Sequence, residues 1–181
     1  MISVKSEIVK KVFAYYFLNP KAKHYVRELA TLLKVDPGNL SKKMSELKKE
    51  GLFLVESEGK NRYFSLNQDY YLLNEYRKIY DAKFGVAESL SSVLKKINGL
   101  TEAYLFGSYA KGNFEEGSDL DLLIIGDHQH QELIGALLVL EKKWHREISV
   151  IDFSQKEFAQ KMKKKDDFLE NIFSGKMIKL I

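Results

Sequence analysis

The chain has no cysteine, which excludes a disulfide framework and a thiolate metal site. Only two prolines occur among 181 residues, which argues against long disordered tracts. Long apolar runs are missing as well. The N-terminal stretch MISVKSEIVKKVFAYYF carries lysines inside its apolar run and lacks a small-residue cleavage site. It therefore reads neither as a signal peptide nor as a membrane span, and the expected address is the cytoplasm, with no membrane partner. No internal repeat or low-complexity tract is visible.

What is present is an ordinary globular composition, 45% hydrophobic and 30% charged, enough for one good core or two small ones. The net charge of +4 is unevenly spread. Residues 1–67 hold 13 Lys/Arg against 7 Asp/Glu, whereas residues 68–181 hold 16 against 18. The basic excess lies wholly in the N-terminal third. This split predicts two modules, one of them suited to a polyanion.

Residues 2–18 read as a helix that stops at Asn19-Pro20. Val26, Leu29, Leu32 and Leu33 then predict an amphipathic helix, and Leu40, Met44 and Leu47 a second, at the spacing of a buried stripe. Asp36-Pro37 is a start signal between them, an N-cap carboxylate followed by proline at the first helical position. Gly51 marks the end. LFLVESEGKNRYFSLN alternates on both sides of Glu58-Gly59-Lys60-Asn61, a hairpin signature.

This order of helices followed by a hairpin resembles the small bacterial and archaeal winged helix-turn-helix regulators over residues 1–67. The resemblance implies a double-stranded DNA partner, with the second helix of the motif in the major groove and the wing against the backbone. The face opposite the stripe carries Asn39, Ser41, Lys42, Lys43 and Ser45, while Lys60 and Arg62 flank the wing turn. Lysines with serine and asparagine suit phosphate contacts more than base readout. The tyrosine-rich stretch over residues 68–84 is expected to be a helical connector, with Tyr70, Tyr71, Tyr76 and Tyr80 making a domain or dimer contact. A homodimer through the winged helix or this connector would supply a second half-site.

From residue 85 strands and helices interleave, so an α/β domain with a small mixed sheet is expected over 85–181 and an α+β class for the whole chain. TEAYLFGS and SDLDLLIIG read as strands, QELIGALLVLEKKWH as a helix, EISVIDFS as a strand, and QKEFAQKMKKKDDFLENIF as a helix. Asp119 and Asp121 sit one residue apart at the mouth of the second strand, and alternation points both to the same face. At about 4–6 Å and an effective dielectric near 20, two such charges repel by roughly 3–4 kcal/mol. Solvent, proton sharing or a divalent cation must offset that. Gly107-Ser108 closes the preceding strand; the glycine allows close approach of a ligand, and the serine can donate to a phosphate.

Gly107-Ser108-Tyr109-Ala110-Lys111-Gly112 followed by Ser118-Asp119-Leu120-Asp121-Leu122 resembles the signature of the polymerase-beta-like nucleotidyltransferases, in particular the minimal ones. The resemblance covers about residues 84–181 and implies transfer of a nucleoside monophosphate from an NTP to an acceptor hydroxyl, with Mg²⁺, two ions, as cofactor. It implies that Asp119 and Asp121 hold the metal and that Gly107, Ser108 and Lys111 meet the nucleotide phosphates. It also implies a third catalytic and metal-binding carboxylate on a later strand. Glu147 and Asp152 are the candidates and lie on opposite faces of it; Glu147, which opens the strand, is preferred. The family often has arginine where Tyr109 or Lys111 stands. The pattern Asp127-His128-Gln129-His130 looks superficially like a metal cluster but falls in a polar loop. A regulatory reading stands beside the enzymatic one, in which a DNA-binding regulator or antitoxin-like protein senses nucleotide through this domain or has lost turnover. The position of the third carboxylate discriminates the two.

Overall fold

The computed structural model describes residues 6–114 and 117–181. The chain divides after Phe84 into two compact units. In the first, helix α1 (Glu7–Leu18) buries Val9, Val12, Phe13 and Tyr16, a three- and four-residue spacing that puts them on one face. The start expected at residue 2 lies outside the described residues. A short strand β1 (Lys23–Tyr25) leads into α2 (Val26–Leu33), and α3 (Pro37–Lys49) follows. The Asp36 carboxylate accepts from the Asn39 N–H at 2.8 Å and Pro37 opens the helix, so the cap expected from the sequence is formed. Leu40, Met44 and Leu47 are all buried.

Strands β2 (Phe53–Glu58) and β3 (Asn61–Leu66) form the expected hairpin, Glu58 facing Asn61 across the two-residue turn Gly59-Lys60. Gly59 has φ +59, the left-handed conformation such turns require. β1 pairs with β3 on its other edge, giving an antiparallel sheet in the order β1-β3-β2. Helix α4 (Leu73–Phe84) covers only the later part of the connector expected over 68–84, and most of that segment's tyrosines are buried in this unit. The rings of Tyr76 and Tyr80 lie edge-on to Phe13 at 6.2 and 6.1 Å, and Tyr70 is buried, leaving Tyr71 exposed.

The second unit runs α5 (Val86–Leu94), β4 (Leu100–Phe106), α6 (Gly107–Lys111), β5 (Leu120–Gly126), α7 (His130–Trp144), β6 (Ile148–Phe153), α8 (Gln155–Lys163), α9 (Asp167–Ser174) and β7 (Ile178–Lys179). Its sheet has the order β6-β5-β4-β7; β5 and β6 are parallel and the other pairs antiparallel, the small mixed sheet that was expected. β5 is central and buried on both faces. Leu123 and Ile125 form one core with Leu169 and Ile172 of α9. Leu122 and Ile124 point the other way and are equally buried, and α5 packs against β4 and α7.

Several elements differ from the sequence reading, β1 and α6 among them. The last helical stretch is broken at Lys165, which has φ +53, because the Asp166 carboxylate accepts from the Leu169 N–H at 3.2 Å and starts a new helix. β7, two residues long, is too short for any periodicity to announce it. Among the described residues no helix is long and apolar enough to cross a membrane.

Candidate functional site

The site grows out of the bend between β4 and α6. Phe106, the last residue of β4, pairs with Asp121 near the start of β5, so the chain turns directly over that carboxylate. Gly107 makes the turn at φ +69. A Cβ on Gly107 would stand 2.0 Å from Asp121 Oδ2 and 2.8 Å from its Cγ, a distance no side chain tolerates. Glycine is therefore needed twice here, for its backbone angle and for the space the carboxylate fills. Ser108 is half-buried in the same turn, and Lys111 is exposed at the end of α6.

Asp119 immediately precedes β5, two residues from Asp121. Asp119 is exposed and Asp121 half-buried. Burial, and then the charge of Asp119, push the Asp121 carboxyl above its ordinary pKa. The pair thus meets the repulsion expected from sequence in two ways: one member is left in water and the other holds its proton more tightly.

The parallel register of β5 and β6 puts the two candidate third carboxylates on opposite faces of the sheet. Leu120 faces Ile148 and Asp121 faces Ser149, so the face that carries Asp121 carries Ser149 and, one pleat outward, Glu147. Glu147 is exposed there, and its carbonyl accepts from the Leu120 N–H at 3.0 Å. Asp152 faces Ile124 on the other side of the sheet. Its Oδ2 lies 3.3 Å from Nε2 of the buried His128 and 3.1 Å from Nδ1 of the exposed His130. The histidines of the polar loop therefore belong with Asp152, away from the aspartate pair. Among the described residues no three His, Asp or Glu side chains are grouped to hold a metal ion, at either place.

Two further residues, to which sequence reasoning gave no role at the site, flank Glu147 in the chain or on its face. Ser149 is brought opposite Asp121 by the strand register. Arg146 is buried beside Glu147; its Nη1 donates to the Ser118 carbonyl at 3.4 Å and its guanidinium lies 5.3 Å from the Phe114 ring, on the loop that leads to Asp119.

In the first unit, Asn39, Ser41, Lys42 and Ser45 are exposed on α3, as are Lys60 and Arg62 around the hairpin turn. Lys43 is half-buried and paired with Glu46 at 2.7 Å, and the Ser45 hydroxyl donates to the Ser41 carbonyl at 2.8 Å.

Residues 87–179 match the family model described as "Nucleotidyltransferase domain". A protein of Methanocaldococcus jannaschii named "Putative protein adenylyltransferase" is 33% identical over 78 residues, 42% of this chain and 78% of the relative. A solved structure described as a toxin-antitoxin with AMP-PNP is similar at 17% identity and a TM-score of 0.39, over 53% of this chain and 73% of that one.

Proposed function

Because this chain belongs to the nucleotidyltransferase domain family, we propose that it moves a nucleoside monophosphate from an NTP to a protein hydroxyl, with Asp119 and Asp121 at the reacting centre. The observation that carries this reading is the fit of Gly107 against Asp121, which brings the glycine-serine bend and the carboxylate pair to one spot. ATP as donor and a protein as acceptor are supported by the name of the M. jannaschii relative.

The two aspartates are hard oxygen donors on one face, one of them burdened by its neighbour's charge, and that donor set suits Mg²⁺. Mg²⁺ held there supplies charge neutralisation to the triphosphate and to the departing pyrophosphate. Ser108 is within the bend to donate to phosphate oxygens, and Lys111 adds positive charge at its end. Glu147, on the same face, takes the acceptor's proton. In the step itself the acceptor oxygen bonds to the α-phosphorus. The bond from that phosphorus to the bridging oxygen breaks, pyrophosphate leaves with the electron pair, and the hydroxyl proton passes to Glu147.

The first unit is read as a DNA-binding winged helix. The order α1, β1, α2, α3, β2, β3 supports this, as does the exposure of Asn39, Ser41, Lys42 and Ser45 on α3 and of Lys60 and Arg62 around the hairpin turn. A second reading, a DNA-bound regulator that senses nucleotide and turns it over poorly, is favoured by one observation: the β6 residue facing Asp121 is Ser149, not an acid.

The test is labelling of acceptor proteins in a cell extract with α-labelled NTPs and Mg²⁺, comparing the native chain with Asp119→Ala/Asp121→Ala. Label that depends on the aspartates supports the transferase reading, and ATP should be the preferred donor. Equal labelling by both chains sinks it.

A further inference from the structure

Resting on the reading of Asp119 as a metal-holding group of the nucleotide site, we infer that Arg146 is a positioning residue, whose guanidinium fixes the backbone from which Asp119 projects. Arginine is almost never fully buried unless its guanidinium is paired, and Arg146 is only 8% exposed. Its partners show what the burial serves. Nη1 donates to the Ser118 carbonyl at 3.4 Å, and the guanidinium carbon lies over the Phe114 ring, 5.3 Å from its centre. A planar guanidinium can lie against a ring and donate from its edge at the same time, a combination a lysine ammonium does not match.

Asp119 is thereby held from both sides. The residue before it, Ser118, gives its carbonyl to Arg146, and the residue after it, Leu120, donates its N–H to the Glu147 carbonyl at 3.0 Å. Both anchors are consecutive residues at the corner between α7 and β6. That corner is itself fixed. His145 ends α7 in the left-handed conformation, at φ +52, and Glu141 Oε1 accepts from the Ile148 N–H at 2.8 Å.

The ring that Arg146 lies against is backed in turn, because Phe114 meets Tyr109 of α6 edge-on at 5.4 Å and 79°. Asp119 is exposed, so the place of its carboxylate depends on how firmly its backbone is held. Mg²⁺ demands near-ideal octahedral geometry at short range, and a carboxylate that wanders serves it poorly. Arg146 therefore acts on nucleotide binding through Asp119 and needs no contact with the nucleotide.

The test is a double-mutant cycle on the full chain, read by equilibrium dialysis as the affinity for a non-hydrolysable ATP analogue with Mg²⁺. Urea unfolding followed by the fluorescence of the buried Trp144 checks that each variant is folded. Arg146→Met should weaken analogue binding about tenfold in the native background, and by no more than about twofold once Asp119 is asparagine. A merely structural role would cost the same in both backgrounds. Phe114→Leu should show the same pattern with a loss of about threefold in the native background, and it decides the matter if Arg146→Met does not fold. Equal losses in the two backgrounds, or no loss in the native one, overturn the inference while leaving the nucleotide site standing. An Asp119→Asn chain that binds the analogue with Mg²⁺ as tightly as the native chain, or a native chain that binds none, overturns both.

Discussion

Replacing Asp121 by asparagine should make the second unit more stable at neutral pH while removing its activity. Asp119 and Asp121 are two residues apart, about 6.6 Å along an extended chain. At that distance two charges repel by about 2.5 kcal/mol at an effective dielectric of 20 and by about 0.6 kcal/mol in bulk water. Asp119 is exposed and Asp121 half-buried, so solvent screening puts the value between these limits, and a gain of about 1–2 kcal/mol is expected for Asp121→Asn. The sign with pH follows from the direction of the Asp121 shift. Its pKa is raised in the folded chain, first by burial and then by Asp119. The folded state therefore binds more protons than the unfolded state above the ordinary aspartate value, and native stability falls as pH rises through the raised pKa. The variant escapes that loss, so its advantage should be full near pH 8 and shrink toward pH about 4. The chain has one tryptophan, Trp144, buried in α7 of this unit, so urea unfolding followed by its fluorescence reports on the right part of the molecule. A variant less stable than the native chain at pH 8, or a gain independent of pH, would refute the reasoning.

Gly107→Ala should destabilise the same unit by about 2–3 kcal/mol and abolish nucleotide binding, since its methyl group meets Asp121 and its φ is +69; urea unfolding and analogue binding check the two effects. In the first unit, Tyr16 is buried and its hydroxyl donates to the Phe64 carbonyl at 3.0 Å. Tyr16→Phe should lower stability by about 1–2 kcal/mol, read by circular dichroism on denaturation. For duplex DNA binding, Lys42→Ala should weaken affinity uniformly across sequences and reduce the salt slope by about 1. Lys43→Ala should do less, because Lys43 is paired with Glu46. Duplex affinity that ignores both salt and Lys42 would leave this unit without a role on DNA.

Local signals made much of the fold and the central residues of the candidate site legible in the amino-acid sequence alone. Asp36-Pro37 starts α3 because a carboxylate and a fixed φ act on their immediate neighbours. Gly59-Lys60 turns the hairpin for the same kind of reason. The Gly107-Ser108 bend and the aspartate pair were legible because strand alternation fixes which side chains share a face. What lay beyond reach was everything that depends on which strand lies beside which. The partner of Asp121 across the sheet is set by packing of β5 against β6, and no property of Ser149 itself announces it. The same register puts Asp152 on the far face with His128 and His130, and Glu147 near the pair. The tyrosines of α4 were expected to make a domain or dimer contact, whereas Tyr76 and Tyr80 pack against Phe13, and Tyr80 also against Phe17, inside the first unit. Chemistry carried by neighbours in the chain was written in the sequence; chemistry carried by neighbours in space waited for the sheet to form, because strand register is chosen by long-range burial and not by any one residue.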